Sequence, residues 1–186
     1  MIRALRSVGA TLAAADRRLL VAMRSRGHWQ PLERTVAMFS CSGEHSRLWF
    51  SLAGAGLISD RDGRETYLRL AAALVAAEVA NATLKLVFMR RRPVLEGLPA
   101  LTDARSQRSF PSAHAATSFA AATCLHHRVP HLPLYGLASA MALSRPYLGV
   151  HYPSDLIGGI ALGTSIGLIL RRPARPNGAL AEDRVA

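Results

Sequence analysis

Three separated fragments of this 186-residue chain carry side chains able to do chemistry: Lys85-x6-Arg92-Pro93, Pro111-Ser112-Ala113-His114 and Ser144-Arg145-x5-His151-x3-Asp155. Together they supply three fixed cations, two histidines and one carboxylate. Arginine presents a planar fork that pairs two phosphate oxygens at once, and lysine adds a point charge. Neutral imidazole can attack phosphorus and form a phosphohistidine. A carboxylate on its other ring nitrogen fixes the tautomer and supports the positive charge that develops. Asp155 lies four residues after His151, which pairs them and makes His151 the candidate nucleophile. His114 is left to protonate the leaving oxygen and then to activate water. Transfer of a phosphoryl group is mostly positioning and charge stabilisation, so Lys85, Arg92 and Arg145 are candidate phosphate-binding residues. Ser112 opens a helix whose first N–H groups favour an anion, and the Ala113 amide is one of them. This inventory breaks a P–O bond with no metal and no cofactor.

The elements that must position these residues are apolar. Half of the residues are hydrophobic, only 6% are aromatic, and the formal charge is +11. Lys85 is the only lysine among the basic residues. A soluble nucleic-acid binder could share this charge but would not carry several long apolar runs, so no nucleic-acid partner is expected. The charge instead flanks membrane spans and attracts anionic headgroups. The expected fold is all-α, an integral-membrane helical bundle of about five transmembrane helices plus an N-terminal amphipathic helix. The runs fall at 48–59, 66–89, 112–126, 132–147 and 154–170, with an interfacial helix over 4–24 and a short helix from Pro31 to Cys41. Residues 1–45 thus read as an interfacial segment, 46–172 as the catalytic membrane domain and 173–186 as a disordered polar tail. Crossing the bilayer about five times brings Arg90–Pro93, Ser112–His114 and Arg145–Asp155 to one membrane face. Lys85 and Arg92 are seven apart and share a helical face if that helix continues to Arg92. Cys41 and Cys124 form no disulfide pattern and no metal-ligand spacing.

In order and spacing, the three fragments resemble the signature K-x6-RP, PSGH and SR-x5-H-x3-D of the type 2 phosphatidic acid phosphatase (PAP2) superfamily, which also includes vanadium haloperoxidases. The resemblance implies a multi-pass cell-membrane lipid phosphatase with the residue roles given above. Compact actinobacterial members look most like this chain. That implies a polyprenyl-linked substrate, notably decaprenylphosphoryl-5-phosphoribose phosphate in cell-wall arabinan precursor synthesis. Undecaprenyl diphosphate, phosphatidylglycerol phosphate and phosphatidic acid remain open, because the motifs read the phosphate and not the lipid. One position departs: Ala113 stands where the family usually has Gly. The amide survives, but a backbone conformation that only Gly tolerates, and the room beside the phosphate, are put in doubt.

Other features have bland readings beside functional ones. His126, His127 and His131 suggest a metal site or, as we favour, a solvated loop. Glu78 and Asn81 share a helical stripe with Lys85; Glu78 either supports Lys85 or makes an interhelical bond. Gly159, Gly163 and Gly167 form a small-residue face that serves a homo-oligomer or, as we favour, packing within the monomer. Against the phosphatase stand vanadate-dependent halide oxidation on the same anion site, which the spans disfavour, and a non-catalytic lipid-binding scaffold, which the intact constellation disfavours.

Overall fold

The computed structural model describes residues 2–104 and 106–171. The expected tail over 173–186 lies outside the described residues. Among the described residues seven α-helices follow one another: α1 (Ile2–Arg24), α2 (Gln30–Ser42), α3 (Arg47–Ser59), α4 (Arg64–Phe88), α5 (Ala113–Leu125), α6 (His131–Tyr147) and α7 (Pro153–Leu170). Among the described residues the only extended pairing is a single antiparallel bridge between Arg91 and Arg108.

The helix bounds follow from local chemistry. Trp29, extended, precedes α2, and Pro31 sits in its first turn, where a missing N–H costs nothing. Pro153 opens α7 in the same way. Helix α4 stops at Phe88, and Met89 takes a left-handed backbone with φ of 48°. It therefore ends before Pro93, and Arg92 cannot share a helical face with Lys85 as the spacing suggested. The residue before a proline disfavours the helical region. Arg90–Arg92 instead run extended beside Gln107–Ser109, with Arg92 N–H donating to Gln107 O at 3.2 Å and Ser109 N–H to Arg90 O at 2.8 Å.

Helix α5 is the hub, packed against α4, α6 and α7. Its residues from His114 to Leu125 are buried except Phe119, and most are Ala, Ser or Thr, so neighbouring backbones approach closely. Trp49 of α3 is buried beside α5 and donates from its indole N–H to Ser118 Oγ at 2.9 Å. Among the described residues two helices, α4 and α7, are long and apolar enough to cross a membrane. Their outward faces carry apolar side chains, with Val79 61% and Ile169 78% exposed. Helices α3 and α5, at 13 residues each, rise about 20 Å, short of a full hydrocarbon core. Helices α4 and α7 have the length of a full span and α3 and α5 are shorter, while the apolar runs fall where expected.

The glycines at 159, 163 and 167 all face α5. A Cβ at Gly159 would lie 2.5 Å from Ser112 O, one at Gly163 2.0 Å from Ala116 O, and one at Gly167 2.5 Å from Thr123 Cβ. The stripe is buried within one chain, so its surface is not open to a second copy. Gly163→Ala is expected to wedge α7 from α5 at a cost of about 2 kcal/mol or more. Gly136→Ala, where a Cβ meets nothing within 4 Å, serves as the control. Thermal unfolding in detergent should show a lower midpoint for the first variant and none for the second; equal midpoints would contradict the packing argument.

Candidate active site

A cavity of about 250 Å³ is lined by Lys85 and Glu78 of α4, Arg92, Asp103 and Ser106 of the following segment, Ala113 and His114 of α5, Arg145 of α6, His151, and Gly43–His45. Six of the residues picked from sequence, Lys85, Arg92, Ala113, His114, Arg145 and His151, therefore meet at one place. Ser112 and Asp155 stand one layer behind, both fully buried. Ser112 Oγ accepts from the Ala115 N–H at 3.5 Å and caps α5.

His151 precedes α7, and Asp155 sits in that helix's first turn. Asp155 Oδ2 lies 3.3 Å from His151 Nδ1 and accepts the Tyr152 N–H at 2.9 Å. On the other side of the ring, Arg92 Nη1 is 2.9 Å from His151 Nε2. A guanidinium can only donate and a carboxylate can only accept. The ring is therefore neutral with its proton on Nδ1 and its lone pair on Nε2. Burial, then Arg92, Arg145 and Lys85, hold the His151 pKa well below the ordinary histidine range, which keeps that lone pair available at neutral pH. Arg92 is fixed by two more bonds, from Nε to Ser106 O and from Nη1 to Val150 O, both 2.6 Å.

Opposite, Arg145 is 4% exposed. Its Nη1 donates to Ser40 Oγ at 2.6 Å, and its Nε is buried with no hydrogen-bond partner among the described residues. Ser144 Oγ lies 3.1 Å from the same Ser40 hydroxyl. The Ser40 carbonyl takes a bond of 3.0 Å from His114 Nε2, which puts the His114 proton on Nε2 and leaves Nδ1 as the nitrogen able to exchange protons. Lys85, Arg92 and Arg145 make no ion pair among the described residues, although Arg90, a few residues away, makes two. A buried guanidinium nitrogen without an acceptor is costly. An oxyanion placed in the cavity would satisfy it together with the other two cations.

Ala113 takes ordinary helical backbone at the start of α5, and among the described residues the non-glycine residues with positive φ are His45, Ser46 and Met89. A glycine-only conformation is not required there; what Ala113 changes is the space beside the cavity. Glu78 Oε1 accepts from Ser46 Oγ at 2.9 Å, an interhelical bond, and it lines the cavity alongside Lys85 without pairing with it. Asn81 Nδ2 donates to Pro111 O at 2.9 Å and ties α4 to the entry of α5. His126, His127 and His131 cluster, with ring centroids of His126 and His127 3.6 Å apart. His126 is already engaged with Thr123 O and Arg171, and no metal-holding group occurs among the described residues.

Residues 66–177 match the PAP2 superfamily. The chain belongs to the PAP2 superfamily. Decaprenylphosphoryl-5-phosphoribose phosphatase of Mycobacterium tuberculosis is 45% identical over 137 residues, 73% of this chain and 77% of that protein. The crystal structure of Aquifex aeolicus LpxE is similar with a TM-score of 0.70 and 26% identity, covering 82% of this chain and 92% of that one. A transmembrane PAP2-type phosphatidylglycerolphosphate phosphatase from Bacillus subtilis shares the fold, with a TM-score of 0.68 at 21% identity over 86% of this chain and 84% of that one. This chain is a PAP2 phosphatase and a membrane protein. All eight residues chosen from sequence fall inside the matched region. Gly43–His45, which line the cavity, and Ser40, which holds Arg145 and His114 from behind, fall outside it, and no pattern around them announced the contact.

Proposed function

We propose that this PAP2 phosphatase is a multi-pass enzyme of the cell membrane that removes the terminal phosphate of decaprenylphosphoryl-5-phosphoribose phosphate. The lipid identity is supported by the 45% identity to the mycobacterial phosphatase of that name. The chemistry is carried by one observation: three cations that make no ion pair among the described residues, one with an orphaned buried nitrogen, line the same cavity as His151. Lys85, Arg92, Arg145 and the N–H groups at the start of α5 hold the phosphate oxygens. His151 Nε2 forms a bond to phosphorus as the P–O bond to the lipid breaks, and His114, which takes up a proton on Nδ1 when the phosphate anion is bound and keeps its Nε2 proton on Ser40 O, gives that Nδ1 proton to the departing oxygen. Asp155 supports the imidazolium-like charge. Water, losing a proton to His114, then attacks phosphorus and displaces His151 Nε2, which breaks the P–N bond and releases phosphate. The products are a lipid alcohol and inorganic phosphate.

The test is phosphate release by detergent-purified protein, with EDTA present, from four lipids: decaprenylphosphoryl-5-phosphoribose phosphate, undecaprenyl diphosphate, phosphatidylglycerol phosphate and phosphatidic acid. The expected result is highest kcat/KM on the first. Higher kcat/KM on another lipid would reassign the substrate, and loss of activity in EDTA would contradict the metal-independent chemistry.

A further inference from the structure

The carboxylate behind His151 belongs to a longer chain of charges. Asp155 Oδ1, on the side away from the imidazole, accepts from Arg90 Nη1 at 2.8 Å. Arg90 Nη2 continues to Asp16 Oδ2 at 2.6 Å, so α1 reaches the site from outside the matched region. Asp16 Oδ1 accepts the Ser154 N–H at 3.0 Å, and the Ser154 hydroxyl donates to Asp16 Oδ2 at 2.5 Å. The Arg90 guanidinium lies over the Tyr152 ring, 4.2 Å from its centroid. Its side chain is 29% exposed, that of Asp16 8% and that of Asp155 0%. Neither Arg90 nor Asp16 lines the cavity.

The charge count decides what this arrangement does. Asp155 with Arg90 alone sums to zero. His151 would then acquire positive charge beside Lys85, Arg92 and Arg145 with no net negative charge behind it. Asp16 adds the second carboxylate, so the trio carries −1 toward the imidazole. Charge near a reacting group in a poorly solvated site is weakly screened.

We infer that Asp16 and Arg90 are positioning residues for phosphoryl transfer: Arg90 aims the Asp155 carboxylate at His151 Nδ1, and Asp16 restores the negative charge that Arg90 would otherwise cancel. The inference rests on His151 as nucleophile. It makes α1 a functional part of the catalytic centre.

Activity of the full chain in detergent is measured on decaprenylphosphoryl-5-phosphoribose phosphate, or on dioctanoyl phosphatidic acid should the first give no turnover. Asp16→Asn keeps the shape, removes the charge and sets one NH₂ against either the Ser154 N–H or the Arg90 guanidinium. Its kcat should fall about tenfold or more, the scale of losing a second-layer partner of a functional histidine. KM and inhibition by orthovanadate should stay within about twofold, because the phosphate-binding cations are untouched. Asp16→Glu should recover part of kcat. Asp16→Asn combined with Asp155→Asn should be no slower than Asp155→Asn alone, since the effect passes through Asp155. Should Asp16→Asn fail to purify as folded protein, Arg90→Lys carries the same test: lowered kcat, unchanged KM and no added loss with Asp155→Asn. Wild-type kcat in the folded variant, or independent multiplication with Asp155→Asn, would overturn the inference. His151→Ala with wild-type activity would instead sink the underlying reading of the site.

Discussion

His151→Ala should lower kcat by about 10⁴-fold or more, the scale on which removal of a nucleophile acts in an otherwise intact site. The structure singles out this residue because its two nitrogens have unlike partners: Asp155 at 3.3 Å holds the proton of Nδ1, and Arg92 at 2.9 Å touches the lone pair of Nε2. A phosphate oxygen is a better partner for that Arg92 donor than a neutral nitrogen. Arrival of substrate should therefore release Nε2 to attack while Arg92 grips the oxygen. The measurement has a chemical half as well as a kinetic one. Denaturing the wild-type enzyme during turnover of phosphate-labelled lipid should trap label on protein as a phosphoramidate, stable to alkali and lost in acid. The variant should trap none. Label resistant to acid, or equal labelling of the variant, would place the covalent step elsewhere or remove it.

The helix bounds were legible because each apolar run is flanked by charge or proline, as Asp60–Asp62 precede α4 and Pro153 opens α7. The motif residues were legible by type: a buried arginine or histidine in an apolar chain has few uses. Span length was harder. Helix α5 reads as a span by composition, yet it is the buried centre of the bundle, and hydropathy does not separate lipid-facing from protein-facing apolar residues. The Lys85–Arg92 relation failed for a local reason, the left-handed turn at Met89. Ser40, Arg24 and Asp16 were not legible at all. Ser40 meets Arg145 across 105 positions and Asp16 meets Arg90 across 74; neither contact leaves a periodicity. Arg24 looked like one more flanking charge. It is 4% exposed and binds Pro99 O at 2.7 Å and Tyr147 O at 3.0 Å, so it pins the segment carrying Asp103 to the end of α6. Charges on an amphipathic helix are ordinarily solvated, and only tertiary packing shows which of them are not.

Asp155→Asn should cost about 10³- to 10⁴-fold in kcat, comparable to the loss when a histidine is held in the wrong tautomer. The amide has one acceptor where the carboxylate has two, and the surroundings use both. If the amide oxygen faces His151 Nδ1 and the Tyr152 N–H, its NH₂ meets the Arg90 guanidinium, donor against donor. If the amide turns over, its NH₂ meets His151 and drives the ring proton to Nε2, where it opposes Arg92 Nη1 and removes the lone pair that must attack phosphorus. Either orientation penalises the working geometry, and the second abolishes it. Phosphate binding should survive, because Lys85, Arg92 and Arg145 keep their places around the cavity. The expected signature is therefore a large fall in kcat with orthovanadate inhibition retained within about threefold. Loss of orthovanadate inhibition in step with kcat would show that Asp155 holds up the anion site as a whole. A kcat within about tenfold of wild type would mean that Arg92 alone fixes the tautomer, and would return the carboxylate to the role of capping α7.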